Sequence, residues 1–345
     1  MIPHSRTNIL AAALFLAHFP AAGPLRADWE KITSLDAPIA LSRDQSRAKQ
    51  TMIARLNAQI GANKEFLRES AGNPRSWESR IRLASAEGRL ASIIADKAGV
   101  QKAVSRLKEL ERSVPDEKLR AEAMFRRITL HWQDLGDTPD TRRENARSLA
   151  LNFAQAYPQD RRSARLLAEA SDLSNQHPAE KRKLLDLALS LCAEESLLQR
   201  LRDDRMQLEQ LGKPVDLAFT ATDGTKVDLA AGRGSVTAVV FWSAESAPSL
   251  VWMGYFAKYA ESVPSLRVVT VSLDRNRADL DAAMNSMNLH WPTAFDGGGW
   301  QNALARKFGI NTLPTLWLID RKGNLACLNA RENYQLKINE LLLYK

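Results

Sequence analysis

Ser246 and Ser249 stand three residues apart in the stretch Phe241-Trp242-Ser243-Ala244-Glu245-Ser246-Ala247-Pro248-Ser249. The apolar run Val236 to Trp242 reads as a strand, and an amphipathic pattern follows the turn, so the pair falls at the mouth of a helix. Two thiols at this spacing would be redox-active there, because a helix N-terminus can lower a thiol pKa to about 3.5–7.5. Hydroxyls gain nothing comparable, and two serines cannot form a disulfide. A hydrolytic role for Ser246 needs a base within hydrogen-bond reach. His290 is the one histidine after residue 212, and no Gly-x-Ser-x-Gly elbow surrounds Ser246. The residue types instead fit a helix N-cap at Ser246, worth about 1 kcal/mol against alanine. Glu245, beside the positive helix end, is mildly favourable there.

The other candidates for chemistry are few. Cys192 and Cys327 are the only cysteines. They could bridge in an oxidising compartment, pack as small buried hydrophobes, or, at Cys327, present a reactive thiol if exposed and acidified. No helix presents paired metal ligands, so neither a metal nor a cofactor is expected. The formal charge of +8 is spread thinly: residues 28–212 hold 32 basic and 28 acidic side chains, and residues 213–345 hold 14 and 12. Both signs are interleaved without a basic block, which argues against a nucleic-acid partner.

Residues 1–27 read as a signal peptide, with Arg6 ahead of the apolar run Ile9 to Ala17 and a cleavage point after Ala22 or Ala27. The run is short of the ~20 residues a spanning helix needs. Export to a periplasm or the exterior follows, with no stable membrane insertion after cleavage.

Two regions must position these residues. Residues 28–212 carry apolar side chains at helical steps, such as Met52, Leu56 and Ile60, or Val104, Leu107 and Leu110. Pro74, Pro115 and Pro158 recur at 41- and 43-residue spacing, each opening a helical segment. That spacing suits helical hairpins of the tetratricopeptide kind, though the small and aromatic positions do not repeat, and an irregular bundle fits as well. After Gly212-Lys213-Pro214 the pattern becomes that of an α/β layered domain over 213–345. A hairpin at Asp223-Gly224 precedes strands near 236–242, 266–273, 315–320 and 325–330. Helices are expected near 246–262, 276–287 and 299–308, with a last one ending at Tyr344.

Residues 212–345 resemble the thioredoxin-fold domains of the TlpA/ResA type, within the redoxin and alkyl hydroperoxide reductase/thiol-specific antioxidant superfamily. The resemblance rests on Gly212-Lys213-Pro214, Thr222-Asp223-Gly224, Val240-Phe241-Trp242, Pro248, Trp291-Pro292, Phe308-Gly309-Ile310, Leu313-Pro314-Thr315 and Leu318 to Gly323. It implies a three-layer α/β/α fold and a cis-proline at Pro314. It also implies that the Leu313 carbonyl and Thr315 amide can pair with an extended peptide, with Trp242 or Trp252 lining the groove. Ser246 and Ser249 take the places of the family's two cysteines, Glu245 that of a tryptophan, and Leu250 that of a basic residue. The reading is an exported thioredoxin-fold protein without its redox cysteines, a non-catalytic binder of protein or extended peptide. The alternative is a thiol-disulfide oxidoreductase or antioxidant protein of the TlpA or alkyl hydroperoxide reductase/thiol-specific antioxidant class, acting through Cys327 or through an added partner thiol.

Overall fold

The computed structural model describes residues 26–38, 44–70, 72–132, 134–231 and 233–343. The signal-peptide expectation falls almost wholly on residues 1–25, outside the described residues. Contacts divide the chain into two compact units, 1–145 and 146–345.

The first unit is helical: α1 (Arg26–Ser34), α2 (Gln45–Glu69), α3 (Ser76–Ile93), α4 (Lys97–Ser113), α5 (Glu117–Trp132) and the start of α6 (Pro139–Ala156). Asp44 and Asp96 cap α2 and α4 by accepting backbone N–H bonds, which fixes where those helices begin. Ile81 and Ala84 of α3 bury against Val104 and Leu107 of α4 and Leu130 of α5. Gly88 makes this crossing possible, because a Cβ there would lie 2.6 Å from Leu130 Cδ1 and 2.8 Å from Ala103 Cβ.

The second unit holds the rest of α6, then α7 (Arg162–Asp172), α8 (Pro178–Leu191) and α9 (Glu195–Gln210). Pro74, Pro115 and Pro158 lie just ahead of α3, α5 and α7, so they mark every second helix. The regular proline spacing in the sequence is therefore the spacing of helix pairs.

Strands begin after α9. β1 (Ala218–Thr220) and β2 (Lys226–Asp228) form a small antiparallel hairpin. The main sheet comprises β3 (Val236–Trp242), β4 (Leu266–Ser272), β5 (Thr293–Ala294), β6 (Thr315–Ile319) and β7 (Leu325–Cys327), in the order β5-β4-β3-β6-β7. β3, β4 and β5 are parallel; β6 runs antiparallel to β3, and β7 antiparallel to β6. Helices α10 (Ala247–Glu261), α11 (Arg277–Ser286), α12 (Ala303–Lys307) and α13 (Tyr334–Leu343) complete the domain. Every residue of β3 is buried, as expected of a central strand covered on both faces. Val236, Ala238, Val240 and Trp242 share one face with Met253 and Phe256 of α10, Leu280 of α11 and Ile338 of α13. On the other face Phe241 meets Trp317 edge-on at 5.7 Å, and Trp317 meets Phe308, just past α12, at 5.3 Å. This is the mixed-sheet α/β/α arrangement expected from the sequence.

The last strand is shorter than the sequence suggests. β7 ends at Cys327, not near Ala330, because the β6–β7 register slips at Leu318/Ile319 and Asn329 adopts a left-handed φ of 41°. That turn leads into a 3-10 segment over Ala330–Glu332 instead of further strand.

Candidate functional site: a serine-capped turn facing a cis-proline loop

The parallel register places Trp242 beside Ser272, so β3 and β4 end together. β6 runs the other way, and Thr315, its first residue, pairs with Phe241. The turn after β3, the segment after β4 and the loop before β6 consequently gather at one end of the sheet. The Leu313–Pro314 peptide in that loop is cis.

In the turn, Ser246 adopts the extended conformation of an N-cap (φ −98°, ψ 104°), and its Oγ accepts a bond from the Ser249 amide at 3.3 Å. Pro248 sits in the first turn of α10, where no intrahelical amide bond is lost. Ser249 is different. It is fully buried, and its Oγ has no hydrogen-bond partner. The two serines thus make one working cap and one stranded hydroxyl.

The turn is clamped from below by Asp274, two residues past β4 and fully buried. One of its carboxylate oxygens accepts bonds from Ser243 Oγ at 2.7 Å, the Ala244 amide at 2.7 Å and the Glu245 amide at 3.3 Å. The other accepts from Ser272 Oγ at 2.7 Å. A carboxylate so surrounded is a rigid anchor, since each bond to a charged group is stronger than a neutral one. Sequence reasoning passes over Asp274. Its only signal is an acid directly after a buried strand, and its partners in the turn lie some thirty positions upstream.

The exposed rim consists of Glu245, Ala247 and Pro248, with Ser246 half-buried. Along the outward face of α10, Val251 (63% exposed) and Tyr255 (60%) extend the apolar part of the rim, a feature not singled out in the sequence. Across from the turn, Leu313 is half-buried while Pro314 and Thr315 are buried, and Thr315 Oγ1 donates to the Thr312 carbonyl at 2.7 Å. The Leu313 carbonyl accepts no hydrogen bond from any described residue.

One expected site residue needs correction. Trp242 is fully buried among Met253, Phe256 and Ile338, and cannot line a groove. Its parity along β3 sends it to the face covered by α10 and α13. Trp252 likewise spends its ring internally, stacked on Phe256 at 4.8 Å and edge-on to Tyr334 at 5.7 Å.

Neither thiol serves this site. Cys327 pairs in register with Leu318, three residues along β6 from Thr315, and β7 is two strands from β3. With a rise of ~3.3 Å per residue and strands ~4.8 Å apart, that is a separation on the order of 10 Å or more. Burial pushes the Cys327 thiol above its usual value; Lys337 opposes the shift and Glu340 adds to it. Cys192, half-buried, sits at the end of α8 with its Sγ 3.6 Å from the Glu194 carbonyl, and the two cysteines are not bonded to each other. His290 is exposed and bonds Asn288 Oδ1 at 3.0 Å, so it supplies no base to Ser246. No metal-binding cluster of His, Cys, Asp or Glu occurs among the described residues. No helix there is long and apolar enough to cross a membrane.

Residues 234–325 match the protein family described as thioredoxin-like. Solved structures with similarity include the thioredoxin domain of a thiol-disulfide oxidoreductase from Bacteroides vulgatus, at 19% identity and TM-score 0.34, covering 38% of this chain and 97% of that one. A thiol-disulfide oxidoreductase from Bacteroides fragilis is 21% identical with TM-score 0.31, covering 35% and 94%. A secreted Mycobacterium tuberculosis disulfide oxidoreductase is 14% identical with TM-score 0.33, covering 36% and 96%. No curated protein matches the chain.

Proposed function

We propose that the thioredoxin-like domain is a non-catalytic binding module for an extended peptide segment of a partner protein, working outside the cytoplasm. One observation carries the reading: the turn that would hold a redox pair holds a serine cap and a buried serine, fixed by Asp274. Thiol-disulfide exchange requires a thiolate able to reach the partner sulfur. Cys327 lies on another strand with its thiol pushed up by burial, which weighs against the oxidoreductase alternative. A peptide-pairing edge is supported by the Leu313 carbonyl, which accepts no hydrogen bond from any described residue. The main-chain N–H of an extended segment would donate to that carbonyl, as in strand-addition recognition. Glu245, Ala247 and Pro248 would form the opposite lip. Bond making and breaking play no part in this reading.

Two measurements test it. Full-length protein is expected not to accelerate dithiothreitol-driven reduction of insulin, and turnover that disappears in Cys327→Ser would overturn the proposal. S-carboxymethylated insulin B chain, as an extended probe, is expected to perturb the NMR amide signals of Leu313, Thr315, Glu245 and Ala247. Binding that moves signals only elsewhere, or no binding up to millimolar probe, would also overturn it.

A further inference from the structure

The loop that carries Pro314 has two anchors. Its carboxyl end enters β6 through the Thr315–Phe241 pair. Its amino end is fastened to α9, a helix that lies before the thioredoxin-like domain in sequence. Arg200, Asp204 and Gln207 fall at i, i+4 and i+7, along one face of α9. Gln207 Nε2 donates to the Gly309 carbonyl at 2.6 Å. Asn311 Nδ2 donates to Asp204 Oδ1 at 2.9 Å and to the Arg200 carbonyl at 3.3 Å. The two backbones come close at Gly309, whose φ is +64°. A Cβ there would lie 2.7 Å from Met206 Cε and 2.9 Å from the Asp203 carbonyl oxygen. Asn311 is two residues from Leu313, so this fastening ends where the open edge begins.

The helices behind α9 brace the same point. Asp204 is 8% exposed, and its second oxygen has no hydrogen bond, with Arg200 Nε 3.7 Å away. Arg200 also reaches back to pair with Asp172 at the end of α7. Lys181 of α8, 7% exposed, donates to Asn175 Oδ1 at 2.6 Å and adds its charge to the setting of Asp204. Burying a carboxylate with an unfilled oxygen is costly compared with an apolar contact. Such a contact would hold α9 against the loop but would leave it free to slide. The directional Asp204–Asn311 and Gln207–Gly309 bonds fix the loop's register along the helix.

We infer that α9 is a structural part of the peptide site: Asp204 and Gln207 are positioning residues that set where the Leu313–Thr315 edge lies. This inference deepens the binding role proposed above and rests on it only for the peptide, since the fastening can be measured without one. It makes the α7–α9 array and the binding edge one mechanical unit, so that a partner gripping those helices would act on the edge directly.

The test uses full-length protein and backbone order parameters. Asp204→Ala is expected to lower the order parameters of Asn311, Thr312 and Leu313 from about 0.85 towards 0.6 or less, with those of β3 unchanged. The exchanged pair Asp204→Asn with Asn311→Asp keeps a donor facing an acceptor between these two side chains, though not the bond to the Arg200 carbonyl, and is expected to restore part of the order. Gln207→Ala, which leaves the buried carboxylate in place, is expected to show a smaller loss at the same residues. S-carboxymethylated insulin B chain is expected to bind Asp204→Ala at least fivefold more weakly than the wild type. Order unchanged in the loop, or lost equally in β3, would overturn the inference, as would loosened order with unaltered affinity. If the wild type binds no probe but the loop loosens and is rescued as described, the positioning role stands and the binding proposal falls.

Discussion

Ser249 and Ser246 occupy equivalent-looking positions in the sequence and do opposite things in the fold. Ser246 supplies an acceptor to an amide that would otherwise lack one, and replacing it with alanine is expected to lower stability by about 1 kcal/mol. Ser249 buries a hydroxyl that bonds nothing, a penalty in the range of about 1–3 kcal/mol that alanine removes. The small cavity left by the deleted oxygen offsets part of this, so Ser249→Ala is expected to leave stability unchanged or raise it by up to ~1 kcal/mol in urea denaturation. A loss larger than that would mean the hydroxyl has a partner. The cap was legible in the sequence because it is local, a serine ahead of a proline-started helix. For Trp242 the resemblance gives only a place beside the turn, not the direction of the side chain. The alternation Val236, Ala238, Val240, Trp242 gives its true direction, into the core shared with Phe256.

At the scale of elements, the strands and helices follow their patterns closely: helix 246–262 is found as Ala247–Glu261, and strand 266–273 as Leu266–Ser272. Hydrophobic periodicity encodes such elements directly. Links between elements are another matter, because a carboxylate that will be buried looks like any surface acid in the chain. Asp274 shows this. Ser243, Ala244, Glu245 and Ser272 all donate to it, so its loss strands two buried hydroxyls and the Ala244 amide together, while the Glu245 amide keeps Ser243 Oγ at 3.1 Å. Asp274→Ala is expected to cost more than about 3 kcal/mol, since bonds to a charged group are worth about 1.5–3 kcal/mol each and are not additive. Amide shifts of residues 243–246 should move more than those of β7. If the variant unfolds at the wild-type midpoint, the carboxylate is not the anchor of the turn, and the rigidity assigned to the rim has another source.

For the whole molecule, the change of composition near residue 212 and the division of contacts at 145/146 mark different events. The first is where helices give way to strands. The second is set by what packs together, and α7–α9 belong with the sheet that follows them. The residues responsible, Asp204, Gln207 and Asn311, are polar and read as a solvated face, so nothing in the sequence pattern announces the association. After α9 the chain stays attached: the Gly212 amide donates to the Leu325 carbonyl at 2.8 Å, and the Leu325 amide to the Lys213 carbonyl at 2.9 Å, so the linker covers the outer edge of β7. A fragment cut at 213 would keep the five-stranded sheet but uncover Gly309 and Asn311. It would also lose three side-chain and main-chain bonds from α9, each worth about 1 kcal/mol. Residues 213–345 alone are therefore expected to be at least about 3 kcal/mol less stable than residues 146–345 in matched urea titrations. The apolar surface of Leu201 and Leu208, buried in the longer piece, works in the same direction. Equal stability of the two fragments would show the helices to be passengers on the thioredoxin-like domain. A deficit confined to the shorter one would make α7–α9 part of what holds the Pro314 loop in place.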